Sequence, residues 1–224
     1  MRNLSMTQHM LDTDLQHLFG EIAELLSPDL SVGGPFLAAF PARPFRHQAA
    51  AGEDSLPMLR FWPACLRDME SAGSHLVSLG PLLRRLSPAF RWRQNPNYRQ
   101  SPPDPAFLDN YGYAEICGEY GLIEAEIRCG ILILGPATCY PPHRHPAEEI
   151  YIPLTLGAWQ RGEAEVDRQQ WIERLPGSVI HHPPEVPHAT RALDRPLAAL
   201  YLWRGDLKTE ARLDPCVAGH QSGS

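Results

Sequence analysis

The sequence has no C-x-x-C pair, no dense block of Lys and Arg, and no stretch near the roughly 18 apolar residues that a membrane span requires. Each absence removes a class of function. Five scattered cysteines (Cys65, Cys117, Cys129, Cys139 and Cys216) are odd in number and form no disulfide framework, which points to a reducing compartment. A net charge of −6 gives no basic face for phosphate neutralisation, so nucleic acid is not an expected partner. Arg84, Arg85, Arg91 and Arg93 cluster beside a Leu-rich helical stretch and read as a solvated face. The opening MRNLSMTQHMLDTDLQ lacks the apolar core of a signal peptide. The expectation is a soluble cytoplasmic protein with no membrane partner.

The chain reads as two unlike halves followed by a tail. Leu11, Leu15, Leu18, Phe19, Ile22, Leu25 and Leu26 recur at helical spacing, and SPDLSVGGPF then breaks the helix. An irregular Pro- and Ala-rich connection precedes a second helical region from Pro57 to Leu86, which Gly73 and Gly80 are expected to divide. RWRQNPNYRQSPPDPAF reads as a linker. Beyond it, segments such as YAEICGEYG, LIEAEIRCGILILG, EEIYIPLTLG and LAALYLW are short and strand-like, with Gly, Pro or charged turns between them. The expected organisation is a helical layer over 1–104, a β-barrel or sandwich over 105–210, and a tail over 211–224.

The chemistry concentrates in the β half. His143 and His145 are two apart, so on a strand both rings point to one face. Glu149 follows four residues later, and Tyr151 shares its face. His188 arrives downstream, after RLPGSVIHHPPEVP. Three imidazoles and one carboxylate suit a single divalent transition metal ion such as zinc, iron, manganese, cobalt or nickel. His181 and His182 read as hydrogen-bonded core or solvent-facing residues, and Cys139 as a small buried filler.

These stretches resemble the paired motifs of the cupin superfamily, a double-sheet jelly roll around a metal. The first motif is met by His143, His145 and Glu149, with Gly157 one position late and Ala137 where a leading glycine is usual. The second is met by Gly177, Pro183 and His188, with Glu185 in place of a glycine and Ala192 in place of the closing Asn. The resemblance implies a mainly β cupin barrel with an N-terminal α-helical extension. It leaves the four ligand positions intact.

YPPHRHPAEEIYIPL is more specific, and resembles the cupin-type dimethylsulfoniopropionate (DMSP) lyases with their H-x-H-x-x-x-E-x-Y pattern. That resemblance implies β-elimination of a small zwitterionic substrate to dimethyl sulfide and acrylate. It implies His143, His145, Glu149 and His188 as metal ligands and Tyr151 as catalytic base. It further implies Tyr140 as a second catalytic tyrosine of the pocket, and Tyr140 with Trp203 as substrate-binding residues. Aromatic faces attract a sulfonium by roughly 0.5–2 kcal/mol each. Each residue also has a packing role open to it: Tyr151 as barrel filler, Tyr140 at the rim, Trp203 in an apolar strand. Other reactions of a metal cupin, such as a dioxygenase or isomerase acting on a small carboxylate, share this ligand set, as does a ligand-binding cupin without catalysis. Many cupins form dimers, so a homodimer is compatible with the sequence.

Overall fold

The computed structural model describes residues 2–71, 76–162 and 170–214, with side chains from residue 8 onward. Helices α1 (Arg2–Leu26), α2 (Leu30–Leu37), α3 (Trp62–Ser71) and α4 (Leu79–Leu86) form the N-terminal layer. Two antiparallel sheets make the barrel. The first takes the order β1-β2-β3-β10-β5-β8, with β1 at Trp92–Arg93, β2 at Tyr111–Cys117, β3 at Arg128–Leu134, β10 at Leu197–Arg204, β5 at Glu148–Pro153 and β8 at Ile180–His182. The second takes the order β11-β4-β9-β6-β7, from Arg212–Leu213, Cys139–Arg144, His188–Ala192, Gly157–Arg161 and Ile172–Arg174. This is the mainly β cupin architecture with its helical extension.

The strands β2 and β3 are buried along their whole length rather than alternately exposed. The reason is that the first sheet is covered on both faces. Ile131, Ile133, Ile150, Ile152, Leu200 and Leu202 join Leu15, Leu18, Leu79 and Leu83 of the helices in one core. The alternate residues Leu132, Tyr151, Tyr201 and Trp203 turn inward to a second cluster rich in aromatics. Period-2 geometry thus sorts one strand set between a helical layer and a cavity.

Several local expectations give way to tertiary packing. The Gly33–Gly34–Pro35 stretch lies inside α2, which Asp29 caps through the Ser31 N–H at 3.1 Å. A Cβ at position 33 would meet the Leu26 carbonyl oxygen at 2.5 Å, so glycine here permits α1 and α2 to touch. Gly80 lies within α4 and does not divide it, while Gly73 falls outside the described residues. The stretch read as a linker holds β1 and the helix α5 (Pro96–Gln100), with the Asn95 side chain as cap and Pro96 in its first turn. From the stretch read as a tail, β11 pairs with β4 through Arg212↔Arg144 and Leu213↔His143. The rest of that stretch, 215–224, including Cys216, lies outside the described residues.

Two turn positions where the cupin motif usually carries glycine retain the backbone that glycine would supply. Ala137 has φ 55° and Glu185 has φ 62°, both left-handed. Each is fastened: Ala137 N–H donates to the Leu193 carbonyl, and Glu185 N–H to the His145 carbonyl at 2.9 Å. The Glu185 carboxylate also accepts from Arg212 at 2.8 Å. Among the described residues, no helix is long and apolar enough to cross a membrane.

Candidate metal centre

Strands β4, β5 and β9, with the residue just past β4, bring His143, His145 and Glu149 together with the sequence-distant His188. His143 and His188 are direct partners across β4 and β9. His143, His145 and His188 are buried, and one nitrogen from each lies within 4.8 Å of the others. Each imidazole places Nδ1 at 2.9 Å from a backbone carbonyl, of Pro141, Ala147 and Val186 respectively. A carbonyl only accepts, so Nδ1 carries a proton and Nε2 is the nitrogen turned toward the cluster. Three oriented imidazoles in a closed space are a donor set for a borderline divalent cation.

Glu149 completes the group. It is fully buried, and its Oε2 lies 3.1 Å from His145 Nε2 and 2.9 Å from His188 Nε2. Burial alone would raise its carboxyl, yet the facing imidazoles of His145 and His188 hold it well below its usual 4.5. Burial, with His188 and His145 nearby, drives His143 well below 6.5 and keeps it neutral. A neutral His143 and an ionised Glu149 are protonation states that suit a metal.

The aromatic residues singled out in the sequence all reach this centre. Trp203 Nε1 donates to Glu149 Oε1 at 2.6 Å, and the indole lies 4.0 Å from the His145 ring. Trp203 therefore orients a carboxylate, a task that its apolar strand did not reveal. Tyr140 stacks flat on His143 at 3.8 Å, with its hydroxyl donating to Tyr98 Oη at 3.1 Å. Tyr151 lines the same cavity as Tyr140, Trp203 and Glu149. Burial and the Glu149 charge push the Tyr151 phenol well above 10.

The descriptive profile of the dimethylsulfoniopropionate lyase family matches residues 42–199. The chain is 34% identical over 187 residues to the dimethylsulfoniopropionate lyase DddQ of Ruegeria pomeroyi strain DSS-3, covering 77% of this chain and 89% of that protein. The chain belongs to the dimethylsulfoniopropionate lyase family. By class it is a carbon–sulfur lyase. The crystal structure of Ruegeria pomeroyi DddQ superposes with a TM-score of 0.67 at 28% identity, over 90% of this chain and 96% of that one. A structure described among the DMSP lyases RdDddP and RnDddQII shares the fold, with a TM-score of 0.69 at 23% identity over 91% and 99% of the two chains.

In this member of the DMSP lyase family the cavity is lined by more aromatic residues than the motifs disclosed. Tyr111, Tyr113 and Tyr201 line it with Tyr140 and Tyr151, so five of the seven tyrosines face one space. The alternation Tyr111–Gly112–Tyr113 on β2 carried that signal. Tyr98 had none, because it belongs to the supposed linker. His182 is the other surprise. It is fully buried, stacks on His188 at 4.1 Å and 11°, and neither ring nitrogen has a hydrogen-bond partner among the described residues. His181 instead meets Glu148 at 2.8 Å. Cys139 is exposed rather than buried, because β4 turns Tyr140 inward and its neighbour outward.

Proposed function

We propose that the chain cleaves dimethylsulfoniopropionate by β-elimination, giving dimethyl sulfide, acrylate and a proton. The observation that carries this reading is the set of three imidazoles converging beside Glu149, with each Nδ1 tied to a carbonyl. His143, His145, Glu149 and His188 would hold one divalent ion; zinc, iron, manganese, cobalt and nickel all suit this donor set. When bound, that ion supplies positive charge for the substrate carboxylate and for the enediolate-like charge that grows as the α-proton leaves.

Tyr151 is the base. Its ring lies on the face of β5 that carries Glu149, at the cavity wall. As phenolate, a form that the positive charge of a bound ion would favour against burial and the Glu149 charge, Tyr151 would take the proton from the α-carbon, and that C–H electron pair becomes the new double bond. The bond from the β-carbon to sulfur breaks with its pair going to sulfur, so the leaving group departs neutral and needs no acid. Tyr140, pinned by Tyr98 and His143, and Trp203, pinned by Glu149, present fixed aromatic surface to the substrate. Rigid walls lower the ordering cost of binding.

Headspace detection of dimethyl sulfide from metal-loaded protein, with elemental analysis of the same sample, tests the reading. Release that disappears on chelation and returns with metal is the expected result. Tyr151→Phe is expected to keep its metal and lose release by about 100-fold or more, the scale of a general base. Full release by Tyr151→Phe refutes the role given to this tyrosine, and full release without metal refutes the metal's role.

A further inference from the structure

The cavity has two electrically different ends. One end is Glu149, whose carboxylate backs onto the histidine cluster. Toward the other lie Arg128 and Glu210, the only further charged side chains lining the cavity among the described residues. The Trp203 indole stands between them, bonded to Glu149 on one side and 5.8 Å from the Arg128 guanidinium on the other.

Arg128 does not make this end cationic. Its side chain is only 4% exposed, and three carboxylates share it: Glu210 at 3.3 Å, Glu119 at 3.4 Å and Glu115 at 3.6 Å. Those distances exceed the 2.7–2.9 Å or so of a tight charge-assisted bond, so one guanidinium is divided and none of the three is saturated. The neighbouring guanidinium, Arg93, lies over the Tyr120 ring at 3.7 Å. An anionic ligand group placed here would face the carboxylates of Glu210 and Glu119 beside the carboxyl of Glu115. A cationic group would find Glu210, whose side chain is 21% exposed and lines the cavity.

We infer that Glu210 is the counter-charge for the substrate's cationic end, and that it makes this cavity select a zwitterion over a neutral-tailed acid of the same shape. The inference rests on the proposed function, which puts the carboxylate end at the histidine cluster. A zwitterion then lies along the field, its anionic end toward the metal ligands and its cationic end toward Glu210. Aromatic faces alone favour cations but also accept uncharged methyl groups. A carboxylate adds discrimination by charge.

Two unreactive ligands isolate that charge: 3-(trimethylammonio)propionate and 4,4-dimethylpentanoate, which share a shape and differ by one positive charge. Calorimetric titration of the metal-loaded protein gives the ratio of their affinities. The wild-type protein is expected to prefer the zwitterion, and Glu210→Gln to lower that preference by about tenfold while still binding 4,4-dimethylpentanoate. Glu119→Gln is the control, since Glu119 touches Arg128 but does not line the cavity. It is expected to leave the ratio unchanged.

A ratio that Glu210→Gln leaves within about twofold overturns the assignment. An equal fall in Glu119→Gln also overturns it, because the effect would then be general charge. Failure of both ligands to bind overturns it as well. The outcome is separable from that of the reaction. A Glu210-dependent preference in protein that releases no dimethyl sulfide keeps this subsite and removes the proposed chemistry. Release with a Glu210-independent preference does the reverse.

Discussion

Replacing Trp203 with phenylalanine removes one hydrogen bond and little else from the centre. The indole N–H donates to Glu149 Oε1 at 2.6 Å, while Oε2 faces His145 and His188. The carboxylate is buried, and a phenyl ring offers no donor in place of the indole N–H. A phenyl ring still covers His145, which the indole contacts at 4.0 Å. A hydrogen bond to a buried charge contributes about 1.5–3 kcal/mol, or about 10- to 150-fold in an equilibrium constant. Loss of outer partners of metal ligands falls on the same scale, about 10- to 100-fold in metal affinity. Trp203→Phe is therefore expected to bind zinc at least about tenfold more weakly, measured by competition with a chromophoric chelator at fixed pH. Thermal denaturation with and without metal separates this from general destabilisation. An unchanged zinc affinity, with any loss confined to the metal-free protein, would refute the orienting role of the indole.

Two further perturbations probe the cavity wall. Burial pushes Glu115 up to about 7 from its usual 4.5, so between those values the native chain holds a proton that the unfolded chain has lost. This contribution to stability is complete below 4.5 and fades as pH rises through 7, by about 3 kcal/mol in all; urea denaturation should show a flatter profile in Glu115→Gln, and parallel profiles would refute the assignment. Gly130 lies under Tyr201, and a Cβ there would run into the Ala114 carbonyl and stand 2.5 Å from the Tyr201 hydroxyl. Gly130→Ala is expected to cost about 1–3 kcal/mol in the same assay, and a variant as stable as the parent would show that the wall yields.

The candidate metal centre was legible because its spacing is geometric. H-x-H on one strand must share a face, and Glu149 and Tyr151 must do the same. Even where the expected turn glycines are replaced, Ala137 and Glu185 keep the left-handed backbone, held by bonds from other loops. The role of Trp203 was not legible, since it depends on a partner 54 residues away in sequence and directly across the strand pair. The linker reading failed for a different reason. Prolines signal a break, but Asn95 and Pro96 also make a helix start, and the Asn95 side chain then donates to the Ala211 carbonyl across the fold. Glu210 was invisible for want of any motif; only the closure of the chain over the cavity brings it to Arg128.

One sheet serves two masters. Ile150, Ile152, Leu200 and Leu202 press against the helices, while Glu149, Tyr151, Tyr201 and Trp203 alternate with them toward the cavity. A single layer of backbone separates the helical packing from the reacting groups. Because α2 and α3 pack on β10, the strand that carries Trp203, repacking there would bear on the strand holding the Glu149 carboxylate in place, making the helices a foundation for the cavity rather than an ornament to the barrel.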